Sequence, residues 1–238
     1  MRNALIRFAT LALAATAVAA PAAPAAAQAM AFKPLHWNIN GYNWGGYAAS
    51  GSGFTSVSAS WTEPSATCNS SNDLYAPWVG IDGYGTSTVE QTGVASSCSS
   101  SSGSATDQAW YEMYPANPVY LSTSSYPVAA GNAISASVTY IGSSKYTLVL
   151  TNSTRGWTYS ITKTLSSAKR ESAEVIIESP TGDYPDFGTV NFTSATVNGE
   201  TLGSFSPVAM DPSYNGVTEA HTSALTGGTA FSDTWLHA

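Results

Sequence analysis

The feature that most constrains the fold is a long series of short segments with β-strand character. Residues 54–61 alternate between polar and apolar side chains, and about a dozen similar segments recur at intervals of roughly 8–12 residues. Turn residues such as those at 82–83 and 142–144 separate the segments. Beyond residue 30, no segment has a sustained apolar period of 3.6 residues. The sequence therefore predicts an all-β, single-domain antiparallel fold, either a β-sandwich or a barrel.

The N-terminus has the features of a secretory signal peptide at residues 1–29. Arg2 and Arg7 form a basic region, residues 11–20 are apolar, and residues 27–29 form an A-x-A cleavage site. A membrane anchor is the alternative. A membrane-spanning helix needs about 20 apolar residues, however, and this apolar stretch is shorter. We therefore expect a secreted, extracellular protein with an irregular lead-in at residues 30–42 and one antiparallel β domain at 43–238.

Composition excludes several classes of partner. The net charge is -7, with 8 basic and 15 acidic residues. This balance offers no basic surface for nucleic acid or for an anionic membrane. We expect neither partner once the signal is removed. A surface poor in lysine also stays near neutral at low pH, which fits an acidic environment.

The two cysteines, Cys68 and Cys98, are expected to form a disulfide. An even pair in an exported chain usually does so, and the loop it closes stabilises the fold by about 3 kcal/mol. Two free buried thiols are the alternative. Two cysteines make a poor metal site and the three histidines lie far away in the sequence, so we expect no metal and no other cofactor.

Several common hydrolase signals are missing from the chain. It contains neither H-E-x-x-H nor G-x-S-x-G, and its histidines, at 36, 221 and 237, all lie near the termini. An imidazole would also be protonated at acidic pH and could not act as a base. If the chain is an enzyme, carboxylates and amides are its expected tools.

The stretch Ser172–Glu178 carries two carboxylates in a β-strand pattern. Alternation places Glu174 and Glu178 on one face, with their Cα atoms about 13 Å apart. Paired glycosidase carboxyls lie roughly 5–9.5 Å apart, so these two do not form an acid–base pair. Glu178 is interpreted as a flanking or outward carboxylate.

Other polar and aromatic residues are weak candidates when taken singly. The amide of Gln91 could donate to an oxyanion, or it could be an ordinary exposed polar group. Glu112, among aromatics, could have a raised pKa or could face outward. Trp78 could line a groove, and Asp82 could fix a turn.

Taken in order, the motifs around these residues resemble those of the glutamic peptidases, the eqolisin family. The resemblance covers residues 43–197. Its motifs are N-W-G-G-Y at 43–47, W-V-G-I-D-G at 78–83, Q-T-G-V at 91–94, A-W-Y-E at 109–112, A-E at 173–174 and D-F-G-T-V at 186–190.

The resemblance implies a lectin-like sandwich of two long curved sheets and an endopeptidase active at acidic pH. It implies that Gln91 and Glu174 form the catalytic dyad, on neighbouring strands. Glu174 would activate a water molecule as general base, and Gln91 would stabilise the oxyanion. The expected partners are polypeptide substrates, and a monomer is expected. The residues that the family pattern assigns to support or to the cleft are Trp44, Trp78, Asp82 and Glu112.

Two departures from the family pattern leave alternatives open. Val175 replaces a tryptophan, and Ala95 stands where an acidic residue is often found. Either change could alter the cleft or the pKa of Glu174. The alternative functions are a carbohydrate-binding sandwich, a sandwich glycosidase with Glu112 facing Glu174 or Glu178, and a peptidase-like protein without activity.

Overall fold

The computed structural model describes residues 43–237, and these residues are nearly all β. The predicted signal peptide, the lead-in and residue 238 lie outside the described residues. A 3₁₀ turn lies at Leu202–Phe205. The strands are β1 (Trp44–Ser50), β2 (Ser56–Thr62), β3 (Leu74–Ile81), β4 (Val89–Ser97), β5 (Thr106–Tyr114), β6 (Val119–Tyr120), β7 (Ala133–Tyr140), β8 (Lys145–Asn152), β9 (Trp157–Thr164), β10 (Ser172–Glu178), β11 (Thr189–Val197), β12 (Glu200–Thr201), β13 (Val208–Met210), β14 (Ser213–Tyr214), β15 (Val217–Thr218), β16 (Ala220–Thr222) and β17 (Phe231–Trp235).

The strands form two large antiparallel sheets, which confirms the predicted sandwich. The seven-stranded sheet has the order β13-β1-β10-β3-β4-β5-β6, and the eight-stranded sheet has the order β16-β17-β11-β2-β7-β8-β9. The short strand β12 pairs with β11, and β14 with β15 forms a separate hairpin. Pairing between strands that are far apart in the chain, such as β1 and β10, places residues that are distant in sequence side by side.

The main core lies between the two sheets and follows from alternation along the strands. On β2, Val57, Ala59 and Trp61 point inward and are buried, while the serines between them point outward. Val79 on β3 and Val175 on β10 face the same core from the other sheet. Apolar side chains removed from water in this way contribute most of the folding free energy.

The seven-stranded sheet is buried on its outer face as well. Strands β1, β3, β4 and β10 have almost no exposed residue, although a sandwich sheet normally leaves one face in water. A second apolar cluster covers this face. Its buried members are Trp44, Ala48, Leu74, Ala76, Trp78, Val89, Ala95, Trp110, Ile176 and Met210.

Two predictions about the periphery have opposite outcomes. The disulfide between Cys68 and Cys98 is present, as predicted. The sequence of residues 217–222 also predicts a single strand, and this prediction is wrong, because the backbone of Glu219 leaves the strand to bond Pro212 and Leu236. Within residues 43–237, no helix is long and apolar enough to cross a membrane.

Candidate active site

A row of paired residues crosses five strands on the outer face of the seven-stranded sheet. Ala48 pairs with Glu174, Glu174 with Gly80, Gly80 with Gln91, and Gln91 with Glu112. Gln91 and Glu174 were expected on neighbouring strands, but β3 lies between β4 and β10. Two strand spacings separate their Cα atoms by about 9.6 Å, so a small group fits between the two side chains.

Gly80 keeps the space between these two side chains open. A Cβ atom at this position would lie 2.9 Å from Cζ3 of Trp78 and 3.3 Å from Cβ of Gln91. The first distance is shorter than van der Waals contact allows. The benzene edge of the Trp78 indole therefore lies next to Gly80, and a larger residue in this place would displace it.

Glu174 is fully buried on β10. The backbone N–H of Tyr84 donates to its Oε1 at 3.3 Å, while Oε2 has no hydrogen-bond partner among residues 43–237. Burial raises the pKa of Glu174 well above its ordinary value. The Ser172 hydroxyl and the Tyr84 N–H act in the opposite direction, and the carboxyls of Asp82 and Glu90 raise this pKa further.

Gln91 and Glu112 are joined by a short hydrogen bond. Nε2 of Gln91 lies 2.6 Å from Oε2 of Glu112, and Oε1 of Gln91 is buried with no partner in the described part of the chain. Burial raises the pKa of Glu112 to about 8, although the bond from Gln91 lowers it; the carboxyl of Glu178 raises it. Glu112 thus supports the amide of Gln91 directly.

Asp82 fixes the chain immediately before the strand of Glu174. Its carboxylate accepts 2.8 Å hydrogen bonds from the backbone N–H groups of Lys169, Arg170 and Glu171. Asp82 itself has a left-handed backbone, with φ of 64°, in the turn that was expected there. Its side chain therefore ties the turn after β3 to the start of β10.

The two tryptophans expected to line the cleft form a packed pair below the row. Trp44 and Trp78 meet edge to face with ring centroids 4.9 Å apart. Only 4% of Trp44 and 0% of Trp78 is exposed, so both rings act as a buried floor.

Glu178 is a functional candidate that the sequence analysis missed: of the two interpretations given for it, flanking or outward, the outward one does not hold, because its carboxylate is half-buried at the end of β10. Its carboxylate accepts hydrogen bonds from Nδ2 of Asn43 at 3.1 Å and from Nε1 of Trp78 at 3.0 Å. Burial raises its pKa to about 7, while donors on Trp44, Trp78 and Asn43 lower it. The available signal was apolar Ile176 between the two glutamates, because an apolar residue there indicates that the shared face is covered.

The two departures from the family pattern lie on different faces. Val175 belongs to the core between the sheets, on the face opposite to Glu174. Ala95 lies on the outer face, where it pairs with Gln108 of β5. The replacement at 175 therefore changes core packing rather than the row that holds Gln91 and Glu174.

The groups in the row that can take part in a reaction are carboxyls and one amide. Within residues 43–237, no three His, Cys, Asp or Glu side chains form a group that could hold a metal ion. A carboxyl can take a proton from water, and an amide can donate to a developing oxyanion. The fold and the site thus define a β-sandwich equipped for acid–base hydrolysis.

Comparison with known proteins identifies the family. The Peptidase A4 family profile matches residues 42–234. Aspergillopepsin-2 of Aspergillus niger is 30% identical over 213 residues, which span 76% of this chain and 73% of that protein. Scytalidopepsin B of Scytalidium lignicola is 34% identical over 170 residues, 69% of this chain and 59% of that protein.

Solved structures agree with this result. Scytalido-glutamic peptidase with a transition state analog inhibitor superposes with a TM-score of 0.71 at 27% identity, covering 82% of this chain and 98% of that one. The aspergilloglutamic peptidase from Aspergillus niger has a TM-score of 0.60 at 28% identity, with 69% and 99% covered. The chain belongs to the Peptidase A4 family, the glutamic peptidases or eqolisins, and is a peptide hydrolase of that family.

Proposed function

We propose that the chain is a secreted endopeptidase that cleaves polypeptides at acidic pH with Gln91 and Glu174 as its catalytic dyad. The observation that carries the proposal is their placement in one row, with only Gly80 between them. Further support comes from the solved relatives that hold a transition state analog or the tripeptide Ala-Ile-His.

In the proposed reaction, a water molecule lies between Glu174 and the scissile carbonyl carbon. Ionised Glu174 takes one proton from this water as its oxygen attacks the carbonyl carbon. The amide N–H of Gln91 donates to the oxyanion that forms. When the carbon–nitrogen bond breaks, Glu174 returns the proton to the leaving amine, and no covalent enzyme intermediate forms.

The environment of Glu174 suits this double role. Burial makes its carboxylate a stronger base than an exposed one, and the Tyr84 N–H stabilises the ionised form. The same burial makes the acid form that follows proton uptake stable until the amine leaves.

Acidic conditions fit the carboxyls that share this face. Glu112, Glu174 and Glu178 all have raised pKa values, and no Lys or Arg side chain of residues 43–237 pairs with them. Ionising all three would leave three uncompensated charges in one partly dehydrated site. Low pH keeps Glu112 and Glu178 neutral, so that Glu174 can ionise as the one charge of this face.

The glycosidase alternative is disfavoured by the spacing of the carboxyls. Glu174 and Glu112 are three strand spacings apart, or about 14 Å between Cα atoms. Side chains of this length rarely bring carboxyls so separated within the roughly 5–9.5 Å that glycosidases need, and Glu112 already points at Gln91. The tryptophans Trp44, Trp78 and Trp110 are buried and offer no open surface for stacking on a sugar.

The proposal predicts that Glu174→Gln and Gln91→Ala each abolish proteolysis without loss of the fold. Glu174→Gln removes the base, and Gln91→Ala removes a donor whose loss alone costs about 10²–10³ in rate. The measurement is digestion of acid-denatured haemoglobin with pepstatin present, alongside thermal melting of each variant. Either variant digesting at the wild-type rate would contradict the dyad.

A further inference from the structure

The contact between Gln91 and Glu112 has the length of a hydrogen bond between two oxygens. The separation of 2.6 Å is below the usual 2.7–3.2 Å of N–H···O bonds and inside the 2.5–3.0 Å of O–H···O bonds. With nitrogen facing Glu112, the carbonyl oxygen of Gln91 remains buried without a partner among the described residues. A buried carbonyl with no donor is unfavourable.

A half-turn about the Cγ–Cδ bond of Gln91 exchanges its oxygen and its nitrogen. The carbonyl oxygen then faces Glu112 and can accept a hydrogen bond from the O–H of that carboxyl in its acid form. Two groups gain partners at once, the orphaned carbonyl of Gln91 and the acidic proton of Glu112. Both N–H protons of Gln91 become available to the cleft.

We propose that Glu112 in its acid form donates to Oε1 of Gln91 and thereby turns the amide nitrogen of Gln91 toward the reacting carbonyl. The inference rests on the proposed function and adds a step to it. Glu112 is then a positioning residue, which acts on the substrate only through Gln91.

The surroundings of Glu112 keep the acid form populated. Gln91 faces it from β4, and the groups that interact with it from other strands are Glu178 of β10 and Tyr120 of β6. None of these groups is a cation. Burial accordingly raises the pKa of Glu112 to about 8, so that it holds a proton under acidic conditions.

Ionisation of Glu112 reverses the arrangement. A carboxylate can only accept hydrogen bonds, so ionised Glu112 accepts one from an N–H of Gln91. The carbonyl oxygen of Gln91 then turns back toward the cleft. It also places a negative charge beside the site where the oxyanion forms. Activity is therefore expected to fall as pH rises through the pKa of Glu112, even while the fold is intact.

The orientation can be measured by NMR in the Glu174→Gln variant, which does not digest itself. The side-chain amide signal of Gln91 is assigned by its loss on Gln91→Ala. As pH rises past about 8, the signal of one amide proton should move downfield, because that proton is hydrogen-bonded to ionised Glu112. Adding Glu112→Gln should remove that step.

Gln108 provides a matched control on the neighbouring strand β5. Its buried side chain also donates through Nε2, but to the backbone oxygen of Leu121, which does not titrate. The amide signal of Gln108 should stay constant while that of Gln91 moves. A Gln91 signal that does not move in a folded protein, or that moves equally with Glu112→Gln, would overturn the proposal.

Kinetics supply a second test, whose main comparison can be made at low pH. Glu112→Leu has no donor for Gln91, so kcat should fall by about 10- to 100-fold at every pH while KM changes little. Glu112→Gln should keep most of kcat, because its amide can donate, and should lose less activity than the wild type as pH rises. Wild-type kcat in Glu112→Leu would refute the positioning role.

The outcomes separate this inference from the proposed function. If the wild type digests protein and Glu174→Gln does not, but Glu112→Leu is fully active, the inference alone fails. If the wild type has no peptidase activity while the Gln91 signal titrates with Glu112, the proposed function fails and the orientation of the amide stands.

Discussion

The outer faces of the two sheets differ sharply although the same alternation produces both. The outer face of the eight-stranded sheet is a wet array of hydroxyl side chains, in which Thr147 bonds Thr162 and Thr151 bonds Thr158 at 3.0 Å. The outer face of the seven-stranded sheet buries aromatic rings together with Glu174, Gln91 and Gln108, and half-buries Glu112 and Glu178.

The contrast shows where this molecule places groups that can do chemistry. Hydroxyls in water pair with each other or with solvent and carry no charge at any working pH. Carboxyls removed from water have strongly altered pKa values, and a buried amide without a full set of partners is available to a ligand. A sandwich sheet covered on both faces is therefore the place to look for a site.

The strongest test of the comparison adds the same side chain to each face. Gly80→Val should lower kcat/KM by about 100-fold or more, because its Cβ would displace Trp78 and crowd Gln91. Ala133→Val places the same side chain at an exposed position on β7 and should leave the rate unchanged. Steady-state kinetics on a peptide substrate measures both, and equal rates in the two variants would contradict an active outer face.

A smaller effect is expected from replacing Glu178, which positions the indole of Trp78 beneath the site. Glu178→Leu leaves Nε1 of Trp78 without its acceptor, and the indole edge beside Gly80 can shift. We expect kcat/KM to fall by about 10-fold, since small displacements of catalytic groups are costly. The measurement is kcat and KM at acidic pH together with thermal melting.

Glu63 is the matched control, because it too accepts an indole N–H in a buried site. Its Oε2 binds Nε1 of Trp61 at 2.8 Å, away from the row of Gln91 and Glu174. Glu63→Leu should lower stability by about 1–3 kcal/mol and leave kcat/KM of the folded enzyme unchanged. Equal kinetic losses in both variants would mean that Glu178 has only a structural role.

Local patterns predicted much of this structure. Strand alternation correctly placed Glu174 and Glu178 on one face, and cysteine count with export correctly predicted the disulfide. Periodicity could not reveal what covers a face, so the partial burial of Glu178 was missed. It also could not reveal that β3 separates Gln91 from Glu174, because strand order depends on contacts between distant segments.

Glu90 extends the comparison to the inner face of the same sheet. It is fully buried on β4, on the opposite face from Gln91, and neither oxygen has a partner within residues 43–237. Burial raises its pKa to about 9, and the carboxyl of Asp82 adds to the rise. No step of the proposed reaction uses Glu90, so its titration should appear in stability alone.

The predicted effect of Glu90 follows from proton linkage. Between its unfolded pKa of about 4.3 and its folded pKa of about 9, the folded state binds more protons than the unfolded state, so the free energy of unfolding falls as pH rises. Glu90→Met removes this contribution. Its stability relative to the wild type should grow from acidic pH to about pH 8, by on the order of 1–4 kcal/mol.

Urea denaturation at a series of pH values measures this difference. Burial also raises the pKa values of Glu63 and Asp233 to about 8. The free energy of unfolding of Glu90→Met should therefore still fall as pH rises, but less than that of the wild type. Exposed Glu200 supplies the control, since Glu200→Gln should follow the wild-type curve. If Glu90→Met also follows that curve, the buried carboxyl on the inner face does not limit stability, and loss of activity at higher pH belongs to the outer face.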